Sequence, residues 1–231
     1  MKFFIVFAFA AFAINAADAA LSGSAQTSSY WDCCKPSCSW QENVESDTPV
    51  TSCSADGVTS VIPSIGSACD FGSAYICNNL QPWAVNDTFA YGFVAASFSG
   101  DIDNNYCCVC LTLKFNEVLE GKTMIVQNVN TRSDLSLDHF DIQIPGGGVG
   151  IFPEGCQSQW NFSSISWGEQ NSFTTLSEFE CDDLPVELRA GCQFRFTWFQ
   201  NADNPQVTFD QVECPSALTS LTNCVNNNFE L

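Results

Sequence analysis

Apolar and polar residues alternate with period two through much of the middle and end of this chain. In Cys107 to Phe115, the residues Val109, Leu111, Leu113 and Phe115 fall on one face. Cys108, Cys110, Thr112 and Lys114 fall on the other. Gly121 to Asn130 holds the apolar run Met124-Ile125-Val126, and alternation returns in His139 to Ile144, Phe194-x-Phe196-x-Trp198 and Val207-x-Phe209. Such runs, bounded by Gly, Pro, Asn and Asp, predict strands. Many short strands with turn signals between them predict a mainly β fold, closed as a barrel or stacked as a sandwich. One short helix is predicted in Asp182 to Ala190. Asp182 or Asp183 would cap it, Pro185 would sit in its first turn and Gly191 would end it. Cys181 and Cys192 flank this segment and could staple it.

The start of the chain has a different texture. Met1-Lys2 is a short basic opening, Phe3 to Ile14 is unbroken and apolar, and Ala17-Asp18-Ala19 fits a small-residue cleavage pattern. This reads as a secretory signal peptide over residues 1–20, with cleavage between Ala16 and Ala20. The run is short for a bilayer span, which needs ~20 apolar residues. Residues 21–231 contain no linker, charge run or internal repeat, so one compact domain without a separate tethering module is expected. Localisation is expected to be extracellular.

All fourteen cysteines follow the leader, and an even count in an exported chain implies disulfides. A metal site is not expected: the chain has one histidine and no paired C-x2-C units. The net charge is −19, with only seven Lys and Arg. Such a surface repels phosphate backbones and anionic bilayers, so neither nucleic acid nor membrane is expected as a partner. Neutral polymers remain open. Two sequons occur, Asn86-Asp87-Thr88 and Asn161-Phe162-Ser163. The first sits among apolar residues and reads as the more buried, which makes Asn161 the better glycosylation candidate.

Several chemistries fall away. His139 is the single histidine and G-x-S-x-G is absent, so a serine triad is not expected. Pro145 to Gly150 (PGGGVG) lacks the Lys-Ser/Thr of a phosphate loop and reads as a turn where backbone passes close to something. Carboxylates are left. If residues 139 to 144 form a strand, Phe140, Ile142 and Ile144 face the core, while His139, Asp141 and Gln143 share the opposite face. Asp134 lies shortly before. An acid backed by apolar residues can be desolvated, which raises its pKa and suits a general acid. Taken alone, the segment reads more readily as a strand with a solvent-facing acid. Asp32 is the other candidate. It stands in Thr27 to Trp40 (TSSYWDCCKPSCSW), between Tyr30-Trp31 and Cys33, Cys34 and Cys38, with Trp40 beyond. Sugar rings stack on aromatic faces, so an acid among aromatics suits a saccharide cleft, although a disulfide knot with core aromatics would look the same. Glycoside hydrolysis needs two such carboxyl groups.

These residues resemble glycoside hydrolase family 45, the secreted endo-β-1,4-glucanases. The likeness rests on Tyr30-Trp31-Asp32-Cys33-Cys34-Lys35-Pro36-Ser37-Cys38-x-Trp40, then Gln81-Pro82-Trp83-Ala84-Val85-Asn86-Asp87 and Cys107-Cys108-x-Cys110. It continues through His139-Phe140-Asp141 and Ile144 to Phe152 (IPGGGVGIF), and ends at Trp198-Phe199-x-Asn201-Ala202-Asp203-Asn204-Pro205. It runs in order over essentially all of residues 21–231. The resemblance implies a six-stranded double-psi β-barrel with short helices and long disulfide-linked loops. It also implies seven disulfides: Cys33 with Cys156, Cys34 with Cys69, Cys38 with Cys107, Cys53 with Cys77, Cys108 with Cys224, Cys110 with Cys214 and Cys181 with Cys192.

It further implies an inverting, cofactor-free hydrolase acting as a monomer on a β-1,4-glucan. Asp141 falls at the general acid, Asp32 at the general base and Asp134 at an assisting acid. Tyr30 and Trp40 fall at aromatic groove positions, and Lys35 and His139 at polar neighbours of the site. Inversion would set the two carboxyl groups ~6.5–9.5 Å apart, with a water between base and sugar. One departure stands out: Ser28-Ser29 replaces the usual Thr-Arg, which removes a positive charge near the base. Residues 157 to 180 match poorly, and Trp160 and Trp167 there read as loop packing or, alternatively, as subsite platforms. The competing readings are a non-hydrolytic, expansin-like wall-loosening protein, a hydrolase preferring xyloglucan or glucomannan, and a disulfide-rich protein of barwin type. The presence of Asp32 favours a hydrolase.

Overall fold

The computed structural model describes residues 21–98, 106–131, 138–161 and 178–226. Its strands are β1 (Ser22–Tyr30), β2 (Ser52–Cys53), β3 (Ser60–Val61), β4 (Trp83–Ala84), β5 (Phe89–Ser97), β6 (Cys110–Phe115), β7 (Thr123–Thr131), β8 (His139–Gln143) and β9 (Gln206–Val212). Three helices, α1 (Glu154–Trp160), α2 (Arg189–Phe196) and α3 (Ser216–Thr222), join short 3-10 turns. Six strands close on themselves in the order β1-β8-β5-β7-β6-β9 and back to β1. The pairs β1–β8 and β5–β7 are parallel and the other four antiparallel. Closure removes the unpaired edges that an open sheet would expose. β4 and β8 share one side of β5: β4 pairs at Ala90 and Tyr91, and β8 at Val94 to Ser97.

The alternation read from the sequence is what fills the barrel. Val94, Leu111, Leu113, Met124, Val126, Phe140, Ile142, Val207 and Phe209 point inward and are fully or almost fully buried. Each such side chain contributes about 1.5–3 kcal/mol of transfer free energy. Phe140 of β8 meets Phe209 of β9 edge to face, with centroids 5.0 Å apart. That contact fixes the strand whose other face carries Asp141. A second cluster lies outside the barrel wall. It joins Trp31, Leu80, Phe93, Leu184 and Leu188 to most of the cystines.

All seven disulfides form with the pairing that the family resemblance implies. Replacing the pair Cys34 and Cys69 by serines frees a loop of 35 residues. The expected cost is about 3–4 kcal/mol. Calorimetry should show the thermal midpoint fall by about 5–15 °C.

Two expectations need correction. The segment Phe194-x-Phe196-x-Trp198 is not a strand. Arg189–Phe196 is helical, and Phe194 stacks on Trp198 at 5.3 Å, a contact between residues one helical turn apart. Three aromatics at alternate positions fit either period, and burial against Phe115 and Phe199 selects the helix. Nor is Asp182 to Ala190 a single helix ended by Gly191, because the α-helix starts only at Arg189 and Gly191 does not stop it. Gly191 lies within α2, where a Cβ would stand 2.4 Å from Gln81 Oε1 and 2.8 Å from Pro145 Cδ. The glycine serves close packing. Upstream, residues 178–183 and 186–188 form 3-10 turns, and Cys181–Cys192 staples the unit as read.

Candidate active site

Register places the site residues on one face. In the parallel pair β1–β8, Gln26, Ser28 and Tyr30 stand beside His139, Asp141 and Gln143. Registered neighbours point to the same side of a sheet. Phe140, Ile142 and Ile144 on the opposite side belong to the core, so the alternation forces Asp141 outward from the barrel. On its other flank β8 pairs with β5, where Ala95 is the register partner of Asp141. A methyl group there leaves room beside the acid.

Asp141 is only 4% exposed. Its Oδ1 lies 3.5 Å from His139 Nε2. The same imidazole nitrogen is 2.6 Å from Ser28 Oγ. Tyr30 is held at its phenol oxygen, which accepts from Gln143 Nε2 at 3.0 Å and Asn130 Nδ2 at 3.1 Å. Asn130 Oδ1 in turn accepts the Ser37 N–H at 2.9 Å, which ties the cysteine-rich segment to the end of β7.

Asp32 follows β1 directly, and its position is fixed from every side. Trp31 before it is buried in the outer cluster, and its N–H donates to the Gly148 carbonyl at 2.7 Å. Cys33 after it takes a left-handed conformation, φ 62°, which a residue with a Cβ adopts at a cost of about 1–3 kcal/mol. That turn brings the Cys34 N–H to Asp32 Oδ1 at 2.9 Å, an Asx turn closed by the acid itself. Cys33–Cys156 and Cys34–Cys69 lock the turn from two directions. At Gly155 in α1, a Cβ would come within 2.4 Å of the Asp32 carbonyl oxygen. Only glycine lets α1 lie this close. The PGGGVG turn does what its glycines imply: Gly146 and Gly148 have φ of 77° and 110°, and a Cβ on Gly147 would meet Ser29 Oγ at 2.8 Å.

Asp32 as a whole residue is half-buried. Desolvation still pushes its pKa up to about 6, against the opposing pull of the Cys34 and Asp32 N–H groups. Lys35 is 4% exposed, and its ammonium donates to the carbonyls of Pro63 and Ile65. It lies 3.2 Å from the centre of the Trp40 ring, a cation–π contact that covers one face of the indole. Burial lowers the Lys35 pKa to about 8, and the Glu42 charge partly opposes that shift. Lys35 therefore supports Trp40, whose ring is half exposed.

The structure thus brings Tyr30, His139 and Asp141 together on one face, with Asp32 just beyond the end of β1 and Lys35 and Trp40 on the loop that follows. Asp134 and Trp167 lie outside the described residues. Trp160 is half buried and packs against the outer cluster. Sequence reasoning passed over Asn130 and Gly155, for which a single chain carries no signal. Gln143 was placed on the right face, without its bond to Tyr30. Ser28 was visible only as half of the Ser28-Ser29 departure.

A sequence profile for glycosyl hydrolase family 45 matches residues 22–225. An endoglucanase of Cryptopygus antarcticus is 49% identical over 226 residues, 97% of this chain and 98% of its own. An endoglucanase of Phaedon cochleariae is 47% identical over 209 residues, 90% of this chain and 86% of its own. The crystal structure of the cellulase from the Antarctic springtail Cryptopygus antarcticus superposes with a TM-score of 0.84, covering 90% of this chain and 99% of that one. The barrel and its matches define an enzyme of the glycoside hydrolase class. Within that class, the chain belongs to glycosyl hydrolase family 45.

Proposed function

We propose that this protein is a secreted endo-β-1,4-glucanase that cuts internal bonds of cellulose or a related β-glucan with inversion. Asp141 is the general acid and Asp32 the general base. The observation that carries this reading is the arrangement of the two acids: one is buried on the outward face of β8, the other pinned at the end of β1. Both stand in a family whose matched relatives are named endoglucanases. Asp141 in its protonated form gives its proton to the glycosidic oxygen. Asp32, ionised, takes a proton from a water that attacks the anomeric carbon from the opposite side. Asp134, seven residues before Asp141, assists as a nearby acid. The free face of Trp40 holds a sugar ring, Tyr30, buried to 8% exposure and bonded to Gln143 and Asn130, contributes only its edge to the groove, and His139 and Lys35 support the acid and the Trp40 platform. Residues 1–20 are removed on export, and residues 21–231 act as one catalytic unit, a monomer needing no cofactor.

The pH dependence follows from Asp32. A base must be ionised, and its pKa is raised to about 6. On the acid side kcat/KM is therefore expected to fall about tenfold per pH unit below that value. An acid limb centred near the ordinary carboxylate value of 3.8 would exclude this environment for the base.

The activity itself is tested by incubation with carboxymethylcellulose, xyloglucan and glucomannan, following viscosity and reducing ends together. A rapid fall in viscosity with few new ends identifies internal cleavage, and the fastest substrate names the preferred backbone. Binding to all three without new ends would remove the hydrolase reading.

A further inference from the structure

The sequon Asn86-Asp87-Thr88 is not buried, contrary to its apolar setting in the sequence. It forms the tip of the β4–β5 hairpin, and residues 84 to 88 are all exposed. The Val85 and Asn86 N–H groups donate to the Phe89 carbonyl at 2.9 and 3.1 Å, and Trp198 Nε1 donates to the Asn86 carbonyl at 2.9 Å. Asn86 Oδ1 accepts the Thr88 N–H at 2.9 Å, the Thr88 hydroxyl at 3.1 Å and the Phe89 N–H at 2.9 Å.

We infer that Asn86 is an N-glycosylation site of this protein, an inference that rests on the secretion reading. Three features carry it. The sequon uses Thr, whose hydroxyl reaches the acceptor amide. The Oδ1 bonds that shape the turn stay within residues 86 to 89, so a nascent chain can form them before the barrel closes. Every bond that the side chain makes in the turn goes to Oδ1, and glycosylation leaves Oδ1 unchanged. The reaction joins Nδ2 to the anomeric carbon of a lipid-diphosphate-linked oligosaccharide. The N–C bond forms, the C–O bond to the diphosphate breaks, Nδ2 loses one proton, and the lipid diphosphate leaves with the bonding pair.

The fold also places this glycan clear of the reaction. Ala95 is the neighbour of Asp141 on β5, and Phe89 lies six residues back along that strand. That separation is roughly 20 Å. The half-buried rings of Trp83, Tyr91 and Phe89 form a strip beside the turn, with centroids 5.3 and 4.9 Å apart. They offer the apolar faces on which a first sugar can rest.

The test expresses the full chain in insect cells and treats the secreted protein with peptide N-glycosidase in heavy-oxygen water. The peptide containing Asn86 is expected to return as labelled Asp. Asn86→Gln and Thr88→Ala should each remove that label and the mass of one glycan, while kcat/KM of Asn86→Gln stays within about twofold of wild type, since the site is remote from the acids. The same chain behind a proven secretory leader in place of residues 1–20 separates a failure of export from a failure of the site. Protein secreted by that route with Asn86 unmodified, or modified at Asn161 alone, overturns the proposal.

Discussion

Asp141→Asn is expected to lower kcat on a soluble β-glucan by about 10³–10⁴-fold, near the upper end of what one general acid contributes. The amide has the shape of the carboxyl but no proton to give at neutral pH. The loss should depend on the leaving group. An aryl cellobioside departs as a stabilised phenolate and needs little proton donation, so its cleavage should fall far less than that of the polymer. Near-ultraviolet circular dichroism should match wild type, because Phe140 and Ile142 hold β8 whatever stands at position 141. Equal losses on both substrates would show that Asp141 is not the proton donor.

Asp32→Asn should remove a comparable part of the rate, about 10²–10⁴-fold, while making the protein more stable at pH 7. The native pKa is raised from 3.8 to about 6, so the folded state binds more protons than the unfolded chain across that interval. The stability this group contributes is complete below pH 4, declines as pH rises and is lost above pH 6. At pH 7 the wild type holds an ionised, poorly solvated carboxylate. The amide removes that charge yet keeps an oxygen for the Cys34 N–H. After discounting for the half-buried setting of the residue, a gain of about 1–2 kcal/mol is expected in denaturant titrations at pH 7, shrinking towards pH 4. A variant both inactive and more stable cannot owe its inactivity to unfolding. A destabilised Asp32→Asn would remove that argument.

What could be read beforehand divides along physical lines. β6 and β8 were legible because alternate residues enter a closed core, so period two is written into the side chains themselves. β1 was not, because Ser22 to Tyr30 holds few apolar residues and is set by hydrogen bonding to β8 and β9. The aromatic run at Phe194 misled because three residues at alternate spacing also fit a helical face. The disulfide pairing came from family likeness alone. The face carrying His139, Asp141 and Gln143 followed from the strand period, but its closeness to Tyr30 follows from parallel pairing across 113 residues, which no local pattern encodes. The same limit applies at Asn86. Its apolar neighbours suggested burial, yet Ala84 and Val85 are themselves exposed at the hairpin tip, and only Trp83 and Phe89 on either side are half-buried.

The central claim is that Asp32 works through a water and not as a nucleophile. The most direct measurement is proton NMR of a cello-oligosaccharide digest within the first turnovers, before mutarotation. The α-anomer should appear first and relax to the equilibrium mixture. A first-formed β-anomer would contradict the account and require a covalent glycosyl-enzyme.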